Sequence, residues 1–542
     1  MRYECKKLKS GKFRSPVIIP LFYEAEKHII MLRPLAYAAV LGCMLSDATA
    51  FSPSAMGGAR LGGLRAGRAT SPAARAVKSP ALGLRMSSSL AAEVDEDFAE
   101  LFDANKEWVA MKKRTDPEYF ARNSAVHKPS VLWIGCADSR VPSNEVIGAE
   151  AGEIFTHRNI ANVVMNTDNN LMSGLAYSVE VLGVEHIVVC GHTSCGGVAA
   201  SLTPAEFSPP LEGWLSHLRM VYRHHRKELD AIEDHDTKLA RLVDLNVIEQ
   251  CKNVYKTAIV QQRLAENAEA AKQSGKPFVT PRIHGCVYDL ATGYLKRVNW
   301  VTPDVEDTYN MYADENQALR HTVNNLFDNN VKWANKMKSA DPTYFDKLST
   351  QENPSIFWVG CADSRVPSNE ISGSKPGEVF THRNIANVVM QTDQNLQSGL
   401  QYAVDALGVE HIVVCGHTNC GGIAASLTPT AFSNPLEGWL HHLANVYRLH
   451  ADELDGISDQ NAKLKRLVEL NVIEQCNNIA QSALVMQKQQ ESLERGAPYP
   501  VPRIHGYVYD LATGSLIDLK WAPETNDKVR HPLLVAMPRC GT

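Results

Sequence analysis

"SVLWIGCADSRVPSNE" (Ser130–Glu145) joins a short apolar run to a string of polar residues. The apolar run ends at a glycine, which is typical of a buried strand. The polar string "CADSRVPSNE" recurs unchanged from Cys361 to Glu370. A polar string that only faces water is free to vary, so its unchanged repetition indicates that these side chains act together.

The likeness around this string extends over a whole domain. Of the 30 positions from Cys136 to Met165, 24 match Cys361 to Met390. Leu182–Gly197 and Leu407–Gly422 differ at one position only. The repeated unit is about 220 residues long, far longer than the unit of a solenoid protein.

The chain of 542 residues is too long for one hydrophobic core, and two copies of one domain account for most of its length. We place the join near Pro303–Asn316. The first repeat is then predicted over 93–312 and the second over 313–542.

Each repeat alternates strand and helix patterns. "EIFTHRN", "HIVVCG" and "RIHGCVYD" predict strands in addition to "SVLWIG", and Lys238–Glu266 predicts one long helix packed by one face. This alternation predicts the α/β class, with a mostly parallel sheet flanked by helices. Functional sites in such sheets form at the carboxyl ends of the strands.

Cysteine and histidine follow two of these predicted strands. Cys136 comes directly after one strand, and His192 and Cys195 come after another. Two cysteines and one histidine leave the fourth tetrahedral position of zinc open, as in a catalytic site. The alternative is that these cysteines are ordinary core residues. The recurrence of the set with identical spacing as Cys361, His417 and Cys420 favours metal.

A carboxylate and an arginine accompany each first cysteine. Asp138 can either occupy the open metal position or accept a hydrogen bond from a molecule bound there. Arg140 can hold that carboxylate away from the metal by a two-pronged contact. The alternative is a surface ion pair of little consequence. Asp363 and Arg365 repeat the pair.

The CxDSR and HxxC motifs in this strand pattern resemble those of the β-class carbonic anhydrases, over nearly all of both halves. The resemblance implies interconversion of carbon dioxide and bicarbonate, with two zinc ions per chain on the Cys-His-Cys sets. It also implies that the Asp–Arg pairs control the fourth zinc position. A dimeric core in the family implies that this chain forms an internal pseudo-dimer, and two chains could pair further.

Two further features come from the same resemblance. Bacterial-type members build a second, non-catalytic bicarbonate site, and the matching residues are expected to form a regulatory site unless they only pack the core: Trp133, Arg158 and Tyr177, repeated as Trp358, Arg383 and Tyr402. Members also commonly carry a glutamine nine residues before the first zinc cysteine, reaching the substrate across the interface. His127 and Glu352 stand there, with Gln351 one position away.

Charge is divided unevenly along the chain. The net charge is −5, but residues 1–92 carry +10, so the remainder carries −15. An acidic folded part argues against nucleic acid and anionic membranes as partners. No segment of the sequence is long and apolar enough to suggest stable membrane insertion.

The N-terminal region has the composition of a targeting sequence. Residues 31–50 resemble a signal peptide cleaved before Phe51, and the basic residues 51–92 resemble a transit peptide. Together they resemble the bipartite presequence of secondary plastids of red-algal origin, which predicts a plastid (chloroplast) location. Residues 1–30 precede a second possible start, Met31, and fit a gene-model extension. The alternative for 51–92 is a disordered basic linker.

Three functions remain open from the sequence. Reversible hydration of carbon dioxide fits best. A related zinc hydrolase of carbonyl sulfide or carbon disulfide would need the same ligands. A non-catalytic bicarbonate-binding protein would not need the Asp–Arg pairs, which both repeats keep.

Overall fold

The computed structural model describes residues 99–125, 127–204, 207–274, 280–300, 317–350, 353–428 and 432–523. The side chains of Ala99 and of residues 317–324 are not among them. The gene-model, signal and transit assignments over 1–92 and the join at Pro303–Asn316 lie outside the described residues. The boundaries of the two repeats therefore stay predictions.

Ten strands form one mixed sheet. In the first repeat they are β1 (Val131–Cys136), β2 (Ile154–Asn159), β3 (His186–His192), β4 (Arg282–Tyr288) and β5 (Leu295–Val298). In the second they are β6 (Ile356–Cys361), β7 (Val379–Asn384), β8 (His411–His417), β9 (Arg503–Tyr509) and β10 (Leu516–Asp518).

The sheet runs without a break through both repeats, in the order β10-β9-β8-β6-β7-β2-β1-β3-β4-β5. Within each repeat four strands are parallel and the outermost is antiparallel. The repeats meet where β2 and β7 pair antiparallel at Arg158 and Arg383. The predicted α/β class with a mostly parallel sheet in each repeat is confirmed.

Helices cover both faces of the sheet. Those of the first repeat are α1 (Ala99–Thr115), α2 (Tyr119–Ala125), α3 (Ser143–Val146), α4 (Asn169–Ala176), α5 (Gly196–Leu202), α6 (Pro209–His224), α7 (Arg226–Asp230), α8 (His235–Tyr255) and α9 (Ala258–Ser274). Those of the second are α10 (Gln317–Ala340), α11 (Tyr344–Thr350), α12 (Ser368–Ser372), α13 (Gln394–Gln401), α14 (Gly421–Ser426), α15 (Asn434–Leu449), α16 (Ala451–Asp455), α17 (Gln460–Ala480) and α18 (Ala483–Glu494). Tyr177–Leu182 and Tyr402–Leu407 extend α4 and α13 as π-helical turns.

The prediction of one helix over Lys238–Glu266 is wrong, because two helices share that segment. α8 ends at Tyr255 and α9 begins at Ala258. The Thr257 hydroxyl accepts a hydrogen bond from the backbone N–H of Val260 at 3.3 Å. A threonine in this position satisfies an otherwise unpaired N–H at the start of a helix, so a second helix can begin here.

The first helix of each repeat packs on the other repeat. The Asn105 amide of α1 donates to the carbonyls of Ile371 and Gly514 at 2.9 and 3.0 Å. Its oxygen accepts from the N–H of Leu516 at 3.0 Å. Asn330 of α10 makes the equivalent contacts with Val146, Gly293 and Leu295 in the first repeat. We call α1 and α10 the exchanged helices, because each completes the other repeat.

A buried polar cluster at the starts of α4 and α13 joins the two repeats. Asn170 donates from Nδ2 to Oδ2 of Asp393, and Asn395 donates to Oδ2 of Asp168, both at 2.7 Å. Each aspartate also caps the helix that follows it. Burial, together with the facing Asp393 carboxylate, raises the pKa of Asp168 to about 7. Burial raises the pKa of Asp393 to about 6.

These two carboxyl groups predict a pH-dependent stability. Their raised pKa values mean that the folded chain binds more protons than the unfolded chain between pH about 4 and about 7, so the free energy of unfolding falls as pH rises through that range. In the variant Asp168→Asn/Asp393→Asn this loss disappears. We expect urea titrations to show the variant gaining stability relative to the parent from pH 5 to pH 8.

The variant Asp234→Asn/Asp459→Asn is the matched control, because both aspartates cap exposed helix ends. This control removes two exposed N-cap carboxylates, so it separates the effect of losing a helix cap from the effect of losing a buried carboxyl group. Equal pH slopes for the parent and the Asp168/Asp393 variant would contradict the prediction.

No helix among the described residues combines the length and the apolar character needed to cross a membrane.

Candidate metal centre

Two neighbouring strands bring the cysteines and the histidine of each repeat together. Cys136 is the last residue of β1 and His192 the last of β3, and these strands are parallel neighbours. Cys195 directly precedes α5. The carboxyl ends of parallel strands meet at one edge of the sheet, so the three side chains converge there and are buried.

The donor atoms of the first set fit a tetrahedral metal ion. Sγ of Cys136 and Sγ of Cys195 are 3.9 Å apart. Two sulfurs bound to one zinc at about 2.3 Å each would lie about 3.8 Å apart. Nδ1 of His192 donates to the carbonyl of Thr193 at 3.0 Å, an arrangement that leaves Nε2 as the ligand. Nε2 has no hydrogen-bond partner among the residues described.

Burial of the first set means that a bound cation would be needed to stabilise an ionised Cys136. Burial raises the pKa of the Cys136 thiol well above its usual range, and the neighbouring Cys195 sulfur adds to the effect. A thiolate is therefore costly here unless a positive ion is bound. The N–H of Ala161 points at Sγ of Cys136 at 3.3 Å, which further supports a negatively charged sulfur.

The second repeat has the same geometry. Sγ of Cys361 and Sγ of Cys420 are 4.0 Å apart. Nδ1 of His417 donates to the carbonyl of Thr418 at 2.9 Å, and the N–H of Ala386 lies 3.3 Å from Sγ of Cys361. The chain thus contains two Cys-His-Cys sets that each fit one zinc ion.

Asp138 and Arg140 form a two-pronged contact beside the first set. Nε of Arg140 donates to Oδ1 at 2.9 Å and Nη2 to Oδ2 at 2.7 Å. Nη2 also donates to the carbonyl of Ser194 at 3.2 Å; Ser194 adopts a left-handed φ of 54°. Oδ2 of Asp138 is 3.5 Å from Nε2 of His192, so the carboxylate lies beside the metal position but is held by the arginine.

The charge state of Asp138 follows from this contact. Burial alone would raise its pKa, but His192 and Arg140 lower it to about 2. Asp363 and Arg365 make the same contact in the second repeat, at 2.9 and 2.8 Å. Both pairs are nearly inaccessible to solvent, so the alternative of a surface ion pair does not apply.

Each set also borders on a tyrosine of the other repeat. A Cβ atom at Gly196 would collide with the hydroxyl of Tyr402, and one at Gly421 would collide with the hydroxyl of Tyr177. Glycine is therefore required beside each second cysteine.

His127 of the first repeat reaches the second site as well. Its Nε2 lies 3.5 Å from Oδ1 of Asp363, and its side chain is 12% exposed. Burial lowers the pKa of His127, which favours the neutral ring. Gln351 and Glu352, the residues expected to reach the first site, lie outside the described part of the chain.

The structure places Tyr177 apart from Trp133 and Arg158. Tyr177 stacks on Phe155 with ring centroids 5.7 Å apart, whereas Trp133 packs with Ile154 in the core on the opposite face of the sheet. Alternation along β2 places Arg158 on the Ile154 side. Tyr402 packs against Phe380 with ring centroids 5.6 Å apart and is separated from Trp358 in the same way.

Arg158 and Arg383 instead brace the strand ends that carry the site. Nε of Arg158 donates to the carbonyl of Cys136 at 2.8 Å and Nη2 to that of Asp138 at 2.6 Å. Arg383 repeats both contacts. Tyr288 shares a core with Trp133, and its counterpart Tyr509 shares one with Trp358, together with Tyr119 and Tyr507. Strand alternation in "RIHGCVYD" is the signal in the sequence that could have identified Tyr288.

Both repeats are similar to known carbonic anhydrases. The family described as carbonic anhydrase matches residues 131–295 and 356–516, together more than half of the chain. A carbonic anhydrase of Emericella nidulans is 48% identical over 222 residues, covering 40% of this chain and 92% of that protein. One of Candida albicans is 35% identical, covering 39% of this chain and 72% of that protein.

Solved structures of similar sequence belong to β-carbonic anhydrases. One of the two tetrameric enzymes from Sordaria macrospora is 36% identical, with a TM-score of 0.34, covering 37% of this chain and 98% of that one. A Coccomyxa enzyme in complex with acetazolamide is 38% identical, with a TM-score of 0.32, covering 36% of this chain and 84% of that one.

Proposed function

The chain belongs to the β-class carbonic anhydrase family, and on this premise we propose that both repeats bind zinc and hydrate carbon dioxide reversibly to bicarbonate and a proton. The observation that carries the proposal is the convergence, in both repeats, of a buried Cys-His-Cys set with a buried Asp–Arg pair. A binding protein without catalysis would have no use for that pair.

The zinc ligands, the aspartate and the arginine of each site have different roles in the proposed reaction. A zinc ion on Cys136, His192 and Cys195 would supply a Lewis acid that makes a water molecule nucleophilic near neutral pH. With zinc bound, Asp138 would accept a hydrogen bond from that water and orient it toward carbon dioxide. Arg140 holds Asp138 in the accepting position, and prevents the carboxylate from turning to the metal.

Stopped-flow assays with a pH indicator test the proposal directly, with carbon dioxide and carbonyl sulfide compared on the same preparation. We expect rapid hydration of carbon dioxide that is lost on removal of zinc by a chelator. Faster turnover of carbonyl sulfide or carbon disulfide would assign the chain to a hydrolase instead. Bicarbonate binding without turnover of any of these would indicate a non-catalytic protein.

The two repeats also serve as each other's partner in this proposal. The antiparallel pairing of β2 with β7 and the exchanged helices support an internal pseudo-dimer. The enzymes from Sordaria macrospora are tetrameric, and by analogy two of these chains would pair into a particle with four sites.

His127 is expected to contribute to the second site only. In a chain whose first site is disabled by Cys136→Ala, His127→Ala should lower kcat/KM about fivefold, because a hydrogen bond near the substrate contributes about 1 kcal/mol. In a Cys361→Ala chain the same substitution should change nothing. An equal effect in both backgrounds would show that His127 acts on the fold rather than on the second site.

We further propose a plastid location, in which the enzyme supplies inorganic carbon. The support is the composition of residues 31–92. A fluorescent protein fused behind these residues should enter a secondary plastid, whereas the Phe51→Ala version should stay outside. Import of both versions to the same extent would refute the role of Phe51.

A further inference from the structure

His224, His225 and Glu249 form a third group of metal-ligating side chains on the outer face of the first repeat. One donor atom of each lies within 4.8 Å of the others. Nε2 of His225 is 3.0 Å from Oε1 of Glu249, and both side chains are 18% exposed. His224 is exposed at the end of α6.

The backbone explains how adjacent histidines can face one point. Neighbouring side chains on an α-helix diverge by about 100°. Here α6 ends at His224, and His225 has φ −104° and ψ 19° before α7 begins. The two imidazole rings consequently lie with centroids 4.9 Å apart, beside Glu249 on α8.

The second repeat keeps only part of this group. His450 lies 2.9 Å from Glu474, as His225 does from Glu249, but Leu449 takes the place of His224. No equivalent triple occurs among the described residues of the second repeat. The His–Glu pair is therefore a helix-to-helix contact common to both repeats, and the second imidazole is an addition confined to the first.

We propose that His224, His225 and Glu249 bind a divalent transition-metal ion of the zinc class. Two imidazoles and one carboxylate suit zinc, nickel or copper, whereas calcium and magnesium prefer oxygen ligands alone. Lys252 lies 2.8 Å from Oε1 of Glu249, the same oxygen that His225 contacts. Solvent completes the coordination, and the ion ties the α6–α7 turn to α8.

This site is independent of the proposed catalysis, because none of its residues lies at a Cys-His-Cys set. The test is calorimetric titration of Zn²⁺ into the full chain, after the catalytic sites are loaded and free zinc is removed. We expect one further equivalent to bind. His224→Leu, which copies the second repeat, should weaken this binding at least tenfold without changing carbon dioxide hydration.

The reciprocal variant Leu449→His should create a matching site beside His450 and Glu474, raising the further equivalents from one to two. Circular dichroism checks that both variants keep the parent fold. Weaker binding in His224→Leu together with the gain in Leu449→His supports the proposal. Unchanged zinc binding in either variant overturns it.

Discussion

The variant Cys136→Ala/Cys361→Ala is expected to bind zinc at neither Cys-His-Cys set and to lose carbonic anhydrase activity entirely. Removing one thiolate from a three-ligand set leaves two protein ligands, too few for a stable zinc site. Each set draws its ligands from one repeat only, so either single substitution should empty one site. We expect each single variant to keep about half of the activity, as independent sites would.

Elemental analysis and stopped-flow assays on the same samples measure both quantities. The His224→Leu background removes the third zinc site from the count. Cys190→Ala/Cys415→Ala is the matched control, since these cysteines are equally buried, on the same strands as the histidine ligands, but belong to neither set. A control variant that lost its zinc would count against the ligand assignment, as would a folded single variant that lost both ions.

The variant Arg140→Ala/Arg365→Ala is expected to retain zinc at both sites and yet lose about a hundredfold or more in activity. Without the two-pronged contact, each buried aspartate has lost the partner that fixes its position. Oδ2 of Asp138 starts only 3.5 Å from Nε2 of His192, so the carboxylate can turn to the metal and displace water. Misplacement of an orienting group by about 1 Å costs about a hundredfold in rate.

Two further variants separate this effect from the loss of any arginine. Arg226→Ala removes an exposed contact with Asp230 and should leave activity unchanged. Arg140→Lys/Arg365→Lys keeps the charge but cannot form the two-pronged contact, so only part of the activity should return. Full activity in the alanine variant would show that Asp138 is positioned by other groups.

The sequence predicts those parts of the molecule that depend on residues close together in the chain. Asp138 and Arg140 are two residues apart, and their contact follows from that spacing. The strand ends at Cys136 and His192 follow from apolar runs that stop at polar residues. Parallel pairing then brings these ends together, which is why the metal ligands could be proposed before their geometry was known.

The remaining features depend on how the two repeats meet, and local patterns carry no information about that. The helical spacing of apolar residues around Tyr177 predicts that this side chain is buried. Only the pairing of β2 with β7 brings it to Gly421 in the other repeat. The approach of His127 to Asp363 has the same origin. The break between α8 and α9 is local, yet a single threonine hydroxyl is too weak a signal beside a continuous apolar pattern.

The exchanged helices have a consequence for behaviour on dilution. In a dimer of separate chains, a site completed across the interface is lost when the protomers dissociate at low concentration. Here the partner is part of the same polypeptide, so its effective concentration stays near the millimolar range however dilute the enzyme becomes. In the proposed pseudo-dimer, the sites that border on Tyr177, Tyr402 and His127 would therefore stay assembled at any protein concentration, with the two halves in a fixed one-to-one ratio.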